Sequence, residues 1–206
     1  MKVKTLISGG TSWISSRAQS SFSSIFLLET DESKILMEPG YINSLLFLEE
    51  KFDEMLLKPE DITDLLISHV HLDHAFNSLF FKNAKIHVFE NFDKKDYSKF
   101  GSLMGQAYSM MVQSWKGRTE KYRDGDILFE NIRVIHTPYH SKDHASFFIE
   151  TENMGNIFFP GDICMTRIEY YDIIRNLRND KVSEIVKKWT ENADYIFFTH
   201  DEPYRL

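Results

Sequence analysis

The sequence predicts a layered α/β sandwich, and three observations carry that expectation. Short apolar runs of strand-like composition recur along the chain, segments of helical periodicity lie between them, and neither an internal repeat nor a low-complexity linker breaks the mixture. At 206 residues with 42% hydrophobic content the chain is long enough to bury one good core. A single domain over residues 1–206 is expected.

Ser24–Leu28 and Lys34–Met37 read as two strands joined by the polar turn Thr30-Asp31-Glu32-Ser33. The period then changes. Leu45, Leu48, Phe52, Met55 and Leu56 recur at three- and four-residue steps and predict a helix between Ile42 and Leu56, which Pro59 ends. Leu65–Ser68 is a short, continuously apolar strand. Further strands are predicted at Lys85–Phe89, Ile132–His136, Ala145–Glu150, Asn156–Phe159 and Tyr195–Thr199. Val182, Ile185, Val186 and Trp189 mark a helix before the last of these. In the segment 91–123, Phe100, Met104, Tyr108, Met111 and Trp115 give a helix a sulfur- and ring-rich face. Such a face serves either as a lid over a cleft or as packing against the sandwich or a second subunit of a homo-oligomer, and packing is the commoner use.

Charge and composition exclude several classes. With 24 Lys+Arg against 31 Asp+Glu the net charge is −7, so no global field gathers phosphate backbones, and nucleic acid is disfavoured as a partner. Cys164 is the single cysteine and cannot form an intramolecular disulfide. The N-terminal apolar run is brief and broken by Gly9 and Gly10, and no apolar segment reaches membrane-spanning length. A soluble cytoplasmic protein acting on a small molecule, without a membrane, is expected.

The stretch LLISHVHLDHAFN puts His69, His71, Asp73 and His74 directly after an apolar strand. In an extended or gently curved segment alternate side chains share a side, so His69, His71 and Asp73 converge and His74 follows from the next turn. A lone histidine is usually a solvated or satisfied structural group; four such residues in HxHxDH spacing point to metal. Imidazole and carboxylate donors suit zinc, iron, manganese or cobalt. Three more candidates sit just past strands: His140 in VIHTPYHSKDH, Asp162 in IFFPGDIC and His200 in YIFFTHDEP. Rigid strands ending in ligands fix metal geometry better than flexible loops do.

This ordered series, with the lead-in KPEDITDLLISH, resembles the metallo-β-lactamase superfamily of metallohydrolases over most of the chain. The resemblance implies a four-layer αββα sandwich with a dinuclear site in the cleft. Carried over by position, it implies that His69, His71 and His140 hold one divalent ion and Asp73, His74 and His200 the other, with Asp162 bridging. Zinc is the first expectation, with iron or manganese as alternatives. A hydroxide shared by the two ions would attack a small ester, thioester, lactone or amide-like bond, and Asp73 would carry the proton as the catalytic residue.

His87, His136 and His144 lie outside that set. His87 reads as structural; His136 and His144 flank His140 and are candidates to orient ligands. Cys164 reads as a small buried hydrophobe. The chain also departs from the family pattern. Glu38-Pro39-Gly40 stands where an aspartate usually precedes a small residue and glycine, and the longer acid is expected to alter contacts behind the ligands. Tyr139 replaces the glycine of TPGH, which would reshape the loop and set a ring beside the metals. Lactonases of the superfamily carry a tyrosine shortly after the bridging aspartate; here the position is Met165, with Tyr170 and Tyr171 further on, which weakens a lactonase assignment. The chain ends six residues after His200, without the helical region that grips glutathione in glyoxalase II-like thioesterases. Two rival classes use the same ligands. One is an iron-dependent persulfide dioxygenase-like oxidoreductase; the other is a phosphodiesterase or nuclease, favoured by Lys116, Arg118, Lys121 and Arg123. Flavin-linked di-iron relatives replace the second histidine of HxHxDH with glutamate, and His71 is intact.

Overall fold

Alternate residues of the central strands face two different cores, which is why those strands carry continuous apolar runs. In Ile25–Glu29, Ile25 and Leu27 join one buried cluster while Phe26 and Leu28 join another. In Gly155–Phe159, Ile157 and Phe159 face one cluster and Phe158 faces a third. Strands covered on both faces lose the polar alternation of half-solvated ones. These features belong to a computed structural model that describes residues 1–15 and 18–206.

The chain starts with β1 (Lys2–Ile7) and a separate hairpin, β2 (Gly10–Ser15) and β3 (Ala18–Phe22). β4 (Ile25–Glu29), β5 (Lys34–Met37), β6 (Asp64–Leu66), β7 (Lys85–Phe89) and β8 (Thr119–Tyr122) complete the first sheet, in the order β1-β4-β5-β6-β7-β8. Its β1, β4 and β5 pair antiparallel, and β5 through β8 run parallel. The second sheet holds β9 (Ile127–Leu128), β10 (Ile132–His136), β11 (Ala145–Thr151), β12 (Gly155–Phe159), β13 (Tyr195–Ile196) and β14 (Tyr204–Arg205). Only its β12–β13 pair is parallel.

The helices are α1 (Leu45–Glu54), α2 (Leu72–Ala75), α3 (Ser102–Ser114), α4 (Arg167–Ile174) and α5 (Lys181–Thr190). Leu48 and Phe52 of α1 and Tyr108 and Met111 of α3 pack with Leu27, Leu65 and Ile86 on the outer face of the first sheet. Tyr170 and Ile173 of α4 and Val182 and Val186 of α5 pack with Phe158 and Ile196 on the outer face of the second. Between the sheets lie Phe26, Leu28, Leu66, Phe147, Phe159 and Phe197. Three cores separate four layers, in the order αββα. The sheets are also tied at the chain start, where Asn153 bonds both the amide and the carbonyl of Val3, at 3.0 and 2.8 Å.

The strands predicted at Lys34–Met37, Lys85–Phe89 and Ile132–His136 have the predicted bounds. Those predicted to run to Ser68 and Thr199 leave their ladders earlier, at Leu66 and Ile196, because the residues beyond turn toward the cleft. The segment 91–123 does contain a helix, α3, but ends in β8, a strand of the first sheet. Its stripe divides: Tyr108, Met111 and Trp115 are buried, while Phe100 and Met104 are exposed. Trp115 also donates its indole N–H to Ser78 Oγ at 2.8 Å.

Phe147 is fully buried, stacks on Phe159 at 5.9 Å and meets Tyr122 edge-on. Phe147→Ala should therefore cost about 3–5 kcal/mol in urea unfolding, whereas Leu103→Ala, on the exposed face of α3, should stay within about 0.5 kcal/mol. Equal effects would contradict this placement of the core.

Candidate metal centre

Five of the seven predicted ligands lie in segments just past the end of a strand. His69 and His71 come after β6, His140 after β10, Asp162 after β12 in the turn Gly161–Ile163, and His200 after β13. Asp73 and His74 stand on α2, a single helical turn, so Asp73 is not in the extended stretch that the alternation argument assumed. All seven side chains nevertheless converge.

They form two groups around one carboxylate. His71 Nδ1 lies 3.0 Å from His69 Nε2 and 3.0 Å from His140 Nε2. Asp73 Oδ2 lies 3.7 Å from both His74 Nε2 and His200 Nε2. Asp162 Oδ2 is 3.3 Å from His74, 3.4 Å from His140 and 3.8 Å from His69, while its Oδ1 is 3.7 Å from His200. One buried carboxylate thus faces both groups. Ligand nitrogens at ~2.0–2.1 Å from a tetrahedral zinc would stand roughly 3.3 Å apart, the same order as these spacings.

The tautomers explain which nitrogens face inward. Ser68 Oγ donates to Glu38 Oε2 at 2.9 Å and is left to accept from His69 Nδ1 at 3.0 Å, so His69 Nε2 carries a free lone pair. His74 Nδ1 bonds Glu38 Oε2 and His200 Nδ1 bonds the Phe22 carbonyl at 3.1 Å, which turns both Nε2 atoms into the cleft. Glu38 Oε1 also takes the Ser68 amide at 2.6 Å. The longer acid therefore sits behind two histidines at once, from a backbone with φ of 57°.

Burial drives His69 well below the usual imidazole range, lowers His140, and takes His71 down to about 3 with help from the Lys95 charge. Their lone pairs are then free. Burial also opposes a charge on His74, but Asp162, Asp73 and Glu38 outweigh it and hold that imidazole well above its ordinary value. Burial would raise the Asp162 carboxyl, yet His74, His200 and His69 keep it well below the usual carboxylate range. Three carboxylates around His74 call for positive charge. His74 Nε2 and Asp162 Oδ1 are buried without a hydrogen-bond partner, the condition of atoms that a cation would satisfy. Chemistry, spacing and these orphaned atoms all fit divalent metal.

The remaining candidates sort by contact. His144 accepts the Asp162 amide on Nε2 at 2.9 Å and donates Nδ1–H to Thr137 Oγ1 at 2.8 Å; burial takes it down to about 3. Gly161 permits this approach, since its φ is +61° and a Cβ there would strike the His144 ring. His136 stacks on Phe89 at 4.1 Å and bonds the Lys142 carbonyl, and His87 bonds Asp64 at 2.7 Å. Tyr139 is half exposed and keeps a negative φ; the ring that stands beside the cluster is Phe100, 6.5 Å from His71. Arg118 bonds the Phe81 and Ala84 carbonyls, Lys121 pairs with Asp93 and Arg123 with Glu90. Tyr170 packs against Phe198 and Tyr204, and Tyr171 under Arg175. Cys164 is buried, which pushes its thiol up. Sequence reasoning missed Ser68, Asp143 and Lys95. Only Asp143 left a signal, as an acid between two histidines in HSKDH.

Known proteins resemble this chain in sequence and fold. A sequence model of the Metallo-beta-lactamase superfamily matches residues 20–200. A Thermotoga maritima structure assigned to the metallo-beta-lactamases is 38% identical, with a TM-score of 0.94, and the match covers 100% of this chain and 99% of that one. The N-acyl homoserine lactonase AiiA of Bacillus thuringiensis subsp. kurstaki is 26% identical over 209 residues, covering 85% of this chain and 80% of its own. AidC, a dizinc quorum-quenching lactonase solved with N-hexanoyl-L-homoserine, shares the fold at a TM-score of 0.68 and 17% identity, over 89% of this chain and 73% of its own. Among the described residues no helix is long and apolar enough to cross a membrane. The chain belongs to the metallo-beta-lactamase superfamily and has its fold.

Proposed function

We propose that the chain is a dinuclear metal-dependent hydrolase that opens a small ester-like bond, with a lactone the form best supported by its relatives. The observation that carries this reading is Asp162, one buried carboxylate with His140, His69 and His74 on one oxygen and His200 on the other. His69, His71 and His140 would hold one ion; Asp73, His74 and His200 the other; Asp162 both. Two divalent ions, zinc first on the analogy of AidC and iron or manganese on donor chemistry, supply when bound a water of lowered pKa and a polarised carbonyl.

The chain's own groups do the rest. Asp73 is the more open carboxylate, its side chain 28% exposed against 4% for Asp162, and so is the one placed to take a proton from water and pass it to a leaving group. Glu38 and Ser68 fix the tautomers of His74 and His69. His144 fixes Asp162 through its amide. Phe100, half exposed beside His71, gives the segment 91–123 a place at the rim, where an apolar part of a substrate would lie. The lactonases among the relatives restore weight to a lactone, although Met165 stands where that branch has tyrosine. The nuclease reading loses its support, because Arg118, Lys121 and Arg123 are engaged locally.

His71→Ala and Asp162→Ala should each lower metal content and abolish hydrolysis on a panel of lactone, thioester, phosphodiester and persulfide substrates while circular dichroism stays native. Full metal retention in both variants would refute the ligand assignment, and oxygen uptake with persulfide would move the chain to the dioxygenases. A second expectation concerns pH. His144 and His71 sit at about 3 in the fold against an ordinary 6.5, so below 6.5 the unfolded chain binds protons that the fold refuses, and stability falls with pH. His74 acts in the opposite sense but is outnumbered. With chelator present, the urea midpoint should drop from about pH 7.5 to about pH 5.5, and less steeply in His144→Gln. A flat profile would mean that these imidazoles are not held neutral.

A further inference from the structure

Val70 stands between two candidate ligands, and the peptides on both sides of it are clamped. Asp143 Oδ2 accepts the Val70 amide, from the His69–Val70 peptide, at 2.8 Å. Lys95 Nζ donates to the Val70 carbonyl, on the Val70–His71 peptide, at 2.9 Å. The two side chains close the loop with Nζ 3.6 Å from Asp143 Oδ1, at side-chain exposures of 18% and 4%. Ser141 Oγ donates to the same Oδ1 at 2.8 Å. Asp143 lies three residues past His140 and next to His144, so one ion pair joins the segment after β6, the segment after β7 and the loop after β10.

This clamp acts where the histidines themselves are least restrained. His69 is held from behind by Ser68, His74 by Glu38 and His200 by Phe22. Among the described residues no hydrogen bond reaches the outward nitrogens of His71 and His140; their only side-chain bonds face each other and His69. Their placement falls to the backbone. A nearly buried ion pair is a poor source of net stability, because desolvation offsets the attraction. It is an effective source of fixed geometry when both partners also bond the same backbone.

We infer that Lys95 and Asp143 are a positioning pair for one half of the centre, holding the backbone on either side of Val70 so that His71 meets His69 and His140 at cation-binding spacing. This rests on the two-ion reading above. Neither residue touches Asp73, His74 or His200 in the bonds and ion pairs of the described residues, so the direct effect falls on the half built from His69, His71 and His140. Groups behind metal ligands commonly change affinity about 10- to 100-fold when removed.

The test is zinc bound per chain, measured by elemental analysis after equilibration of zinc-loaded protein in graded zinc buffers. Lys95→Met and Asp143→Ala should each weaken one of two ions by about 10- to 100-fold and leave the other. Adding Lys95→Met to His71→Ala should cost nothing more, whereas adding it to His200→Ala should remove the remaining ion. Lys95→Gln, which keeps a donor without the charge, should retain more zinc than Lys95→Met. Lys121→Met, which breaks the exposed pair with Asp93, should change nothing. Should Lys95→Met fail to fold, Lys95→Gln and Asp143→Asn should show the same one-sided loss at smaller size. Variants that hold both ions as the parent does, or weaken both halves equally, overturn the positioning role and leave the two-ion centre standing. A parent protein that binds no zinc overturns both.

Discussion

Everything at the mouth of this sandwich answers to one electrostatic problem: carboxylates and imidazole lone pairs are crowded into a cleft with little water. Asp162 and Glu38 are buried, Asp73 half so, and five imidazoles turn nitrogens toward the same space. Three bare nitrogens, with that of His71 3.0 Å from each of the other two, repel unless a proton or a cation lies among them. Burying an unpaired carboxylate costs several kcal/mol. His74 alone cannot supply enough positive charge for its three acidic neighbours. Two cations would relieve both strains, and without them the arrangement is a liability for the fold.

The scaffold keeps that liability in place by rigid means. The segments bearing His69, His71, Asp162 and His200 leave strands packed on two faces, so these side chains inherit the strands' positions. Behind them runs a layer of neutral or charge-assisted bonds. Glu38 gathers Ser68 and His74 from a left-handed backbone, a conformation costing about 1–3 kcal/mol, which the surrounding core must absorb. His144 relays to Thr137, Thr137 to Ser146, and Ser146 donates to the Pro160 carbonyl at 2.8 Å, so the amide of Asp162 is tied through three side chains back to its own turn. Such a chain has no spare donor, and a change at any link is felt at the Asp162 amide.

Much of this was legible in the sequence because the signals were local. Continuous apolar runs such as IFFP and YIFF show strands buried on both faces, and HxHxDH shows ligands whose spacing matters more than their neighbours. Elements without such contrast escaped. β1 alternates lysine with apolar residues at a sheet edge, and β8 reads Thr-Glu-Lys-Tyr, so each borrows its strand character from the partner it pairs with. Lys95 escaped for another reason. Its role depends on meeting Val70 and Asp143 across the fold, and a lysine in a polar segment looks like any solvated one until those partners are placed. The basic run from Lys116 to Arg123 has the opposite character: Arg118 bonds local carbonyls, and Lys121 and Arg123 pair with nearby acids.

The remaining chemical question is how a leaving group would receive its proton. For a lactone or ester the departing oxygen is an alkoxide, a base comparable to hydroxide with a conjugate acid near about 15.7, and it must be protonated or held as it leaves. For a thioester the departing thiolate has a conjugate acid near about 8.5 and needs far less help. Met165 offers no proton at the place where lactonases of the family carry tyrosine, and Tyr170 and Tyr171 are occupied elsewhere. Within the hydrolase reading, Asp73 is then the acid with both a seat among the ligands and access to solvent. A carboxyl shuttling one proton from the attacking water to the leaving oxygen performs both halves of the task. Opening a lactone by that route would ask more of Asp73 than holding a metal, and the demand on it would shrink as the leaving group becomes a weaker base.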